Sequence, residues 1–330
     1  MEYHQFNNSN LKISAITFGA WAIGGWMWGG ADRDDALDAI DAAIDAGITT
    51  IDTAPVYGFG QSEEIVGKAI KGKRSKLQIL TKYGLNWKDT KGENFFRSTS
   101  NDGSPVTIYK YSGKESIIKE CEFSLKNLGT DYIDLYQIHW PNNVTPIQET
   151  MEAIDILIKQ GKIRHAGVCN FDEQLVAETL KYFPIISDQV PYSMVNRNIE
   201  AKLVPYCLQN NIGILAYSPL QRGILTGKIS NGHRFNPGDT RPFTPYYKEP
   251  NLSRIVAFTE SIQPIAESHQ ATIGQVVINW TIQQPGITSA LVGARNRKQV
   301  DDNVKALDFK LTKEEMKAIN LKLQDLKIVV

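Results

Sequence analysis

The chain has 330 residues, with 36 Lys and Arg against 36 Asp and Glu, so its formal net charge is zero. That balance argues against a nucleic-acid binder, which needs a basic surface to release counterions. A content of 42% hydrophobic and 22% charged residues is that of a folded globular chain rather than a disordered one. No apolar run reaches the roughly 18 residues of a membrane span, and the start Met1 to Phe6 lacks the basic and apolar regions of a signal peptide. Three scattered cysteines, Cys121, Cys169 and Cys207, fit neither a disulfide framework nor a zinc site. A cytoplasmic protein acting on a small molecule is expected, with no metal, membrane or nucleic-acid partner.

Along the chain, short β-rich runs alternate with longer helical patterns. The spacing predicts a strand over 13–19 and a helix over 32–47, with Ala36, Ile40, Ala43 and Ile44 on one face and Gly47 as its stop. A strand over 49–54 leads to a helix over 62–72, capped by Ser62, with Ile65, Val66 and Ala69 facing inward. Further strands are predicted at 77–82, 132–139, 163–170, 185–190, 213–218 and 289–293. The helices between them are expected at 113–129, 146–161, 172–183, 200–211, 252–268 and 272–284, with one more after the last strand.

Length alone suggests about two domains, but eight strand–helix units of about 35–40 residues favour one closed (β/α)8 TIM barrel over 1–330. An open doubly wound sheet would carry a GxGxxG turn after its first strand, and Gly19 to Gly25 does not match that spacing. Two stretches break the rhythm. One, 84–112, is polar and aromatic, with Trp87, Phe95, Phe96, Tyr109 and Tyr111; the other, 221–251, is rich in Gly and Pro. Both follow strands, on the rim where barrel active sites sit, and unstructured loops of that length often act as lids.

Four ionisable residues mark successive strand ends: Asp52 on the second, Tyr57 five residues later, Lys82 on the third and His139 on the fourth. Neighbouring barrel strands lie about 4.8 Å apart, so such residues converge on one mouth. Asp52 and Lys82 would each be costly to bury alone, which makes them expected partners. An ammonium beside a phenol lowers the tyrosine pKa, and a tyrosine so placed can donate a proton while a histidine orients the oxygen.

The segment 47–67, GITTIDTAPVYGFGQSEEIVG, resembles the first signature of the aldo-keto reductases, most similar to the bacterial general-stress and inositol-operon type. Asp52, Tyr57, Lys82 and His139 fall on that family's catalytic tetrad. The resemblance implies reversible NADPH-dependent carbonyl reduction, with Tyr57 as general acid, Lys82 lowering its pKa, Asp52 holding Lys82, and His139 on the substrate oxygen. It also implies a cofactor cradle. In GVCNF (167–171), Cys169 stands where most members have serine; with Asn170 and Gln189 it faces the nicotinamide amide. In YSPLQRGILTGK (217–228), Tyr217 stacks on the ring, while Ser218, Pro219, Leu220 and Gly223 cradle the pyrophosphate and Arg222 and Lys228 add charge.

In GARNRKQVDDN (293–303), Gly293, Arg295, Gln299, Asp302 and Asn303 match the adenosine side, Arg295 meeting the 2′-phosphate of NADP. Gly19 and Trp21, after the first strand, complete the cofactor contacts. Trp21, Trp26, Trp28, Trp87 and Trp140, in loops after early strands, are expected to wall the substrate pocket with Tyr57 and His139, Trp21 and Trp140 above all. Two other readings are a barrel lyase with Lys82 as a Schiff base and an NADP-binding regulatory subunit of the channel-β type. For the latter, the absence of an extension before the first strand gives no support.

Overall fold

Eight parallel strands close into a barrel in the computed structural model, which describes every residue except Asn7, Asn8, Asn231 and Val330. In chain order these barrel strands, one to eight, are Ile16–Gly19, Thr50–Asp52, Gln78–Tyr83, Ile133–Ile138, Ile163–Cys169, Ser187–Pro191, Gly213–Tyr217 and Ile287–Gly293. Each pairs with its sequence neighbour, and Gly293 of strand eight pairs with Gly19 of strand one to close the ring. The register sets Asp52 beside Gly19, Lys82 beside Gln137 and Cys169 beside Gln189. The predicted functional residues therefore end on one rim.

Helices cover the outside because each has an apolar stripe to bury. In Arg33–Asp45 the buried stripe is Ala36, Ala39, Ile40, Ala42 and Ala43, with Ile44, also expected there, only partly buried against it, and Asp32 accepts from the amides of Asp34 and Asp35 as N-cap. Ile147–Lys159 begins directly after Pro146, and Ile273–Ile282 opens on a capping box between Thr272 and Gln275. The predicted helix over 252–268 is two helices, Asn251–Ser261 and Gln263–Ser268. Pro264 stands in the first turn of the second, where its missing N–H costs nothing, whereas one continuous helix would lose a bond there.

Ser62 is not a helix cap. The helix runs Gln61–Ala69 after a left-handed Gly60, and the buried Ser62 hydroxyl instead donates to the Ala20 carbonyl at 2.7 Å and meets Thr53 Oγ1 at 2.9 Å. The stretch 84–112 is not a structureless loop either. It holds a three-stranded antiparallel sheet of Leu85–Asn86, Glu93–Thr99 and Pro105–Lys110. Two N-terminal strands, Tyr3–Gln5 and Lys12–Ser14, pair antiparallel, so the single predicted strand over 13–19 divides at Ala15. Beside them Phe6, Leu11 and Ile13 pack with Leu80, Leu135, Ile186, Leu215 and Leu291, filling the barrel interior from one end. A C-terminal helix, Lys313–Asp325, carries its own capping box.

Candidate active site

At the opposite end, the C-terminal ends of the strands surround a cavity of about 600 Å³. Below its floor, Lys82 is fully buried and donates from Nζ to Asp52 Oδ1 at 2.6 Å and to the Thr53 carbonyl at 2.9 Å. The other Asp52 oxygen accepts from Gln189 Nε2 at 2.8 Å and Gln137 Nε2 at 3.5 Å. Both charges are thus paired and hydrogen-bonded, the condition under which burial is tolerable.

Tyr57 stands above this pair. It lies on a turn with left-handed residues at Gly58, Phe59 and Gly60. A Cβ on Gly58 would come within 2.5 Å of the Gly24 carbonyl oxygen, so only glycine lets this turn lie against the loop after strand one. The Lys82 Nζ is 5.1 Å from the Tyr57 ring centre, the His139 ring is 5.7 Å away edge-on, and Trp21 stacks at 5.9 Å. Asp52, Tyr57, Lys82 and His139 are therefore brought together as predicted.

The electrostatics differ from expectation in one respect. Burial pushes the Tyr57 phenol up, Lys82 pulls it back, and the outcome is about 12. Burial outweighs the pull of Lys82, so the phenol stays far above neutrality. Burial would lower Lys82, but the opposing attraction of Asp52 carries it above its ordinary range. Burial, aided by the Lys82 charge, holds His139 well below the usual imidazole value. At neutral pH the cluster is a protonated phenol and a neutral imidazole over a closed ion pair.

Among the predicted cofactor residues, Gly19, Trp21, Cys169, Asn170, Gln189, Tyr217, Ser218, Pro219, Leu220, Arg222, Gly223, Lys228, Gly293, Arg295, Gln299, Asp302 and Asn303 all line the cavity. Asn170, in a left-handed conformation, donates to the His139 carbonyl at 2.9 Å and accepts from the Tyr217 hydroxyl at 2.9 Å. Ser218, Gln221, Arg222 and Gly223 have positive φ, which turns successive backbone groups into a concave nest suited to an anion. At the far end Lys228 is paired with Asp302 at 3.0 Å. Arg295 has no ion-pair partner among the described residues. Arg297, adjoining in sequence, turns away to a two-pronged contact with Asp38.

On the substrate side Trp21 and Trp140 line the cavity, but Trp87 does not. Its ring packs against Phe59 and Phe123, behind the wall. Trp26 and Trp28 line the wall as expected, joined by Met27, Val56, Leu85, Phe95 and Phe96. Trp26 is oriented by donating to Ser98 Oγ and the Thr99 carbonyl, both at 3.1 Å. Part of the loop after strand seven docks onto the loop after strand one: Asp239 pairs in β fashion with Trp28, and the Thr240 amide donates to the Met27 carbonyl at 3.3 Å. Arg241 grips Asp239 through Nε and one terminal nitrogen, and Arg222 lies 4.9 Å from the Trp21 ring and 5.0 Å from Trp28. Arg241 and Asp239 were not singled out in the sequence. The signal available was the spacing of an Asp and Arg within a Gly- and Pro-rich stretch, a weak one.

The model of the Aldo/keto reductase family matches residues 15–324. The chain belongs to the aldo/keto reductase family. It is 38% identical to the aldo-keto reductase YhdN of Bacillus subtilis over 98% of this chain and 94% of that protein. To the NADH-specific methylglyoxal reductase of Escherichia coli it is 37% identical over 92% and 93%. The structure of the glycerol dehydrogenase AKR11B4 from Gluconobacter oxydans superposes with a TM-score of 0.87 at 36% identity, covering 98% of this chain and 95% of that one. As an aldo-keto reductase the chain is an oxidoreductase of carbonyl compounds that uses a nicotinamide cofactor. No helix among the described residues is long and apolar enough to cross a membrane.

Proposed function

We infer that this reductase converts aldehydes or ketones to alcohols with NADPH, and that Tyr57 is its general acid. The observation that carries the reading is the buried Lys82–Asp52 pair under Tyr57, with His139 opposite, at one end of a cavity whose other end is lined by Arg295. The nest at Ser218 and Gln221 to Gly223 would hold the pyrophosphate, and Asn170, Gln189 and Cys169 would meet the carboxamide. A bound nicotinamide dinucleotide supplies hydride, chemistry that no side chain offers.

The chain's own residues do the rest. Tyr57 holds a proton on its hydroxyl at neutral pH and delivers it to the carbonyl oxygen as that oxygen gains negative charge. His139, kept neutral, hydrogen-bonds the same oxygen and fixes its direction. Lys82 stabilises the phenolate left behind, and Asp52 keeps the ammonium in place. The aromatic wall excludes water and strengthens these interactions.

Tyr57→Phe should lower kcat by about 10²- to 10⁴-fold while cofactor affinity, measured by fluorescence titration, stays within a few-fold. Near-wild-type turnover would overturn the assignment. The preference for NADP rests on Arg295, since Lys228 is neutralised by Asp302 and Arg297 by Asp38. The Escherichia coli relative is named as NADH-specific, so the comparison to make is kcat/KM with each cofactor. Arg295→Ala should reduce the NADPH to NADH ratio by about 10- to 100-fold, the worth of a charged hydrogen bond. A ratio near one in the wild type, or an unchanged ratio in the variant, would remove NADP specificity.

A further inference from the structure

Two carboxyls behind the catalytic strand have no part in the chemistry above. Glu63, on the helix Gln61–Ala69, is fully buried; Glu120, on the helix Lys114–Leu128, is half-buried. Glu63 Oε1 accepts from Thr81 Oγ1 at 2.7 Å, and its second oxygen accepts from Asn127 Nδ2 at 3.2 Å. Glu120 Oε2 accepts from the Gly84 amide at 2.8 Å, and Oε1 from Ser116 Oγ at 3.0 Å. Side chains alternate along a strand, so Thr81 reaches outward from the residue next to Lys82, while Gly84 ends the same segment two residues further on. The two carboxyls grip strand three on either side of the lysine.

Stability alone does not account for Glu63. An apolar side chain in a buried position is commonly as stable as a carboxyl or more so. Burial pushes the Glu63 carboxyl up, and the hydrogen bonds from Thr81 and Asn127 pull it back. The Lys82 charge also reaches it. The Gly84 carbonyl accepts from the Tyr111 amide at 3.1 Å, so the point held by Glu120 is also the root of the small sheet that carries Leu85, Phe95 and Phe96 to the cavity wall.

We propose that Glu63 and Glu120 are positioning residues for Lys82: by holding Thr81 and Gly84 from outside the barrel, they set the height of the ammonium against Asp52 and Tyr57. This rests on the reading of Lys82 in the proposed function. A small error in that height is costly to rate, since a shift of about 1 Å can cost about 10²-fold, while cofactor binding on the opposite side of the mouth is untouched.

The test uses the full chain in four variants, Thr81→Val, Glu63→Gln, Glu120→Ala and Glu120→Gln, with two readouts. One is kcat and KM per mole of folded enzyme; the other is the ¹⁵N signal of the Lys82 ammonium without substrate, assigned by its loss in Lys82→Met. Thr81→Val and Glu120→Ala should lower kcat about tenfold, leave KM for the cofactor within twofold, and move the Lys82 signal. Glu120→Gln, which keeps an acceptor for the Gly84 amide, should recover most of the rate. Glu63→Gln, which keeps an oxygen for Thr81, should move the signal less than Thr81→Val.

Variants that melt earlier but keep wild-type kcat and an unmoved Lys82 signal would overturn the proposal. A wild type with no turnover on any carbonyl would instead sink the reading of function, and the Lys82 signal would still decide the positioning.

Discussion

Tyr57 retains its proton far above neutrality because it is buried over an ion pair that is already closed. The sign of the consequence is direct. A raised phenol pKa keeps the acid form dominant below about 12, so with Tyr57 as the proposed proton donor, reduction should show no loss from Tyr57 across the neutral range. On the same proposal, alcohol oxidation needs the phenolate, whose fraction grows about tenfold per pH unit below the pKa. The kcat/KM for oxidation measured from pH 7 to 10 should therefore climb with pH; a flat profile would mean that another group takes the proton. The residue types at the strand ends were legible in the sequence, but the pKa was not. How far Lys82 pulls Tyr57 down depends on how deeply the phenol is buried, which only the folded structure shows.

Elements that leave the barrel's rhythm were read least well. The strands at Glu93–Thr99 and Pro105–Lys110 carry aromatic and β-branched residues, a strand signal. Their place in a long interruption between barrel strand three and the next helix suggested a lid instead. The loop after strand seven was read as Gly- and Pro-rich, and its docking onto the loop after strand one depends on a distant pairing of Trp28 with Asp239 that no local pattern encodes. Trp87 fell on the wrong side of the wall because an aromatic in a rim loop can face either way. The docked loop gives a prediction at this scale. Asp239→Ala leaves the largely buried Arg241 without its carboxylate, so the strap should open more often. Exchange of the Thr240 amide, which donates to the Met27 carbonyl, should accelerate about tenfold or more, read by hydrogen-exchange mass spectrometry. Unchanged protection would mean that Arg222, through its hydrogen bonds to the Met27 carbonyl and Thr240 Oγ1 and its contacts with Trp21 and Trp28, holds the strap alone.

For the whole molecule, the eight-fold alternation was enough to count the strands, order them and choose the barrel, because each helix repeats an apolar stripe and each strand an apolar run. The N-terminal pair of strands was not seen, since three-residue strands leave almost no periodicity. They still matter to the whole. Phe6 reaches the interior beside Leu215 and Leu291, and a Cβ on Gly213 would come within 2.4 Å of its ring. Phe6→Ala should cost about 3–5 kcal/mol in urea unfolding and leave kcat/KM near wild type, because the cavity lies at the other end. A loss of activity without a loss of stability would contradict this division of labour between the two ends.

The seam of the barrel joins opposite ends of the chain: Gly19 lies beside Gly293, and the Ala290 amide donates to the Ala15 carbonyl at 3.0 Å. During synthesis, strand one emerges early and waits for strand eight, with an unpaired edge open to other chains. Arg295, Gln299 and Asn303 follow that last strand, so the cavity is fully lined only once strand eight has been added. A dinucleotide bound as proposed would be held by both edges of the seam and would act as a staple on newly made barrels, favouring the closed ring by mass action.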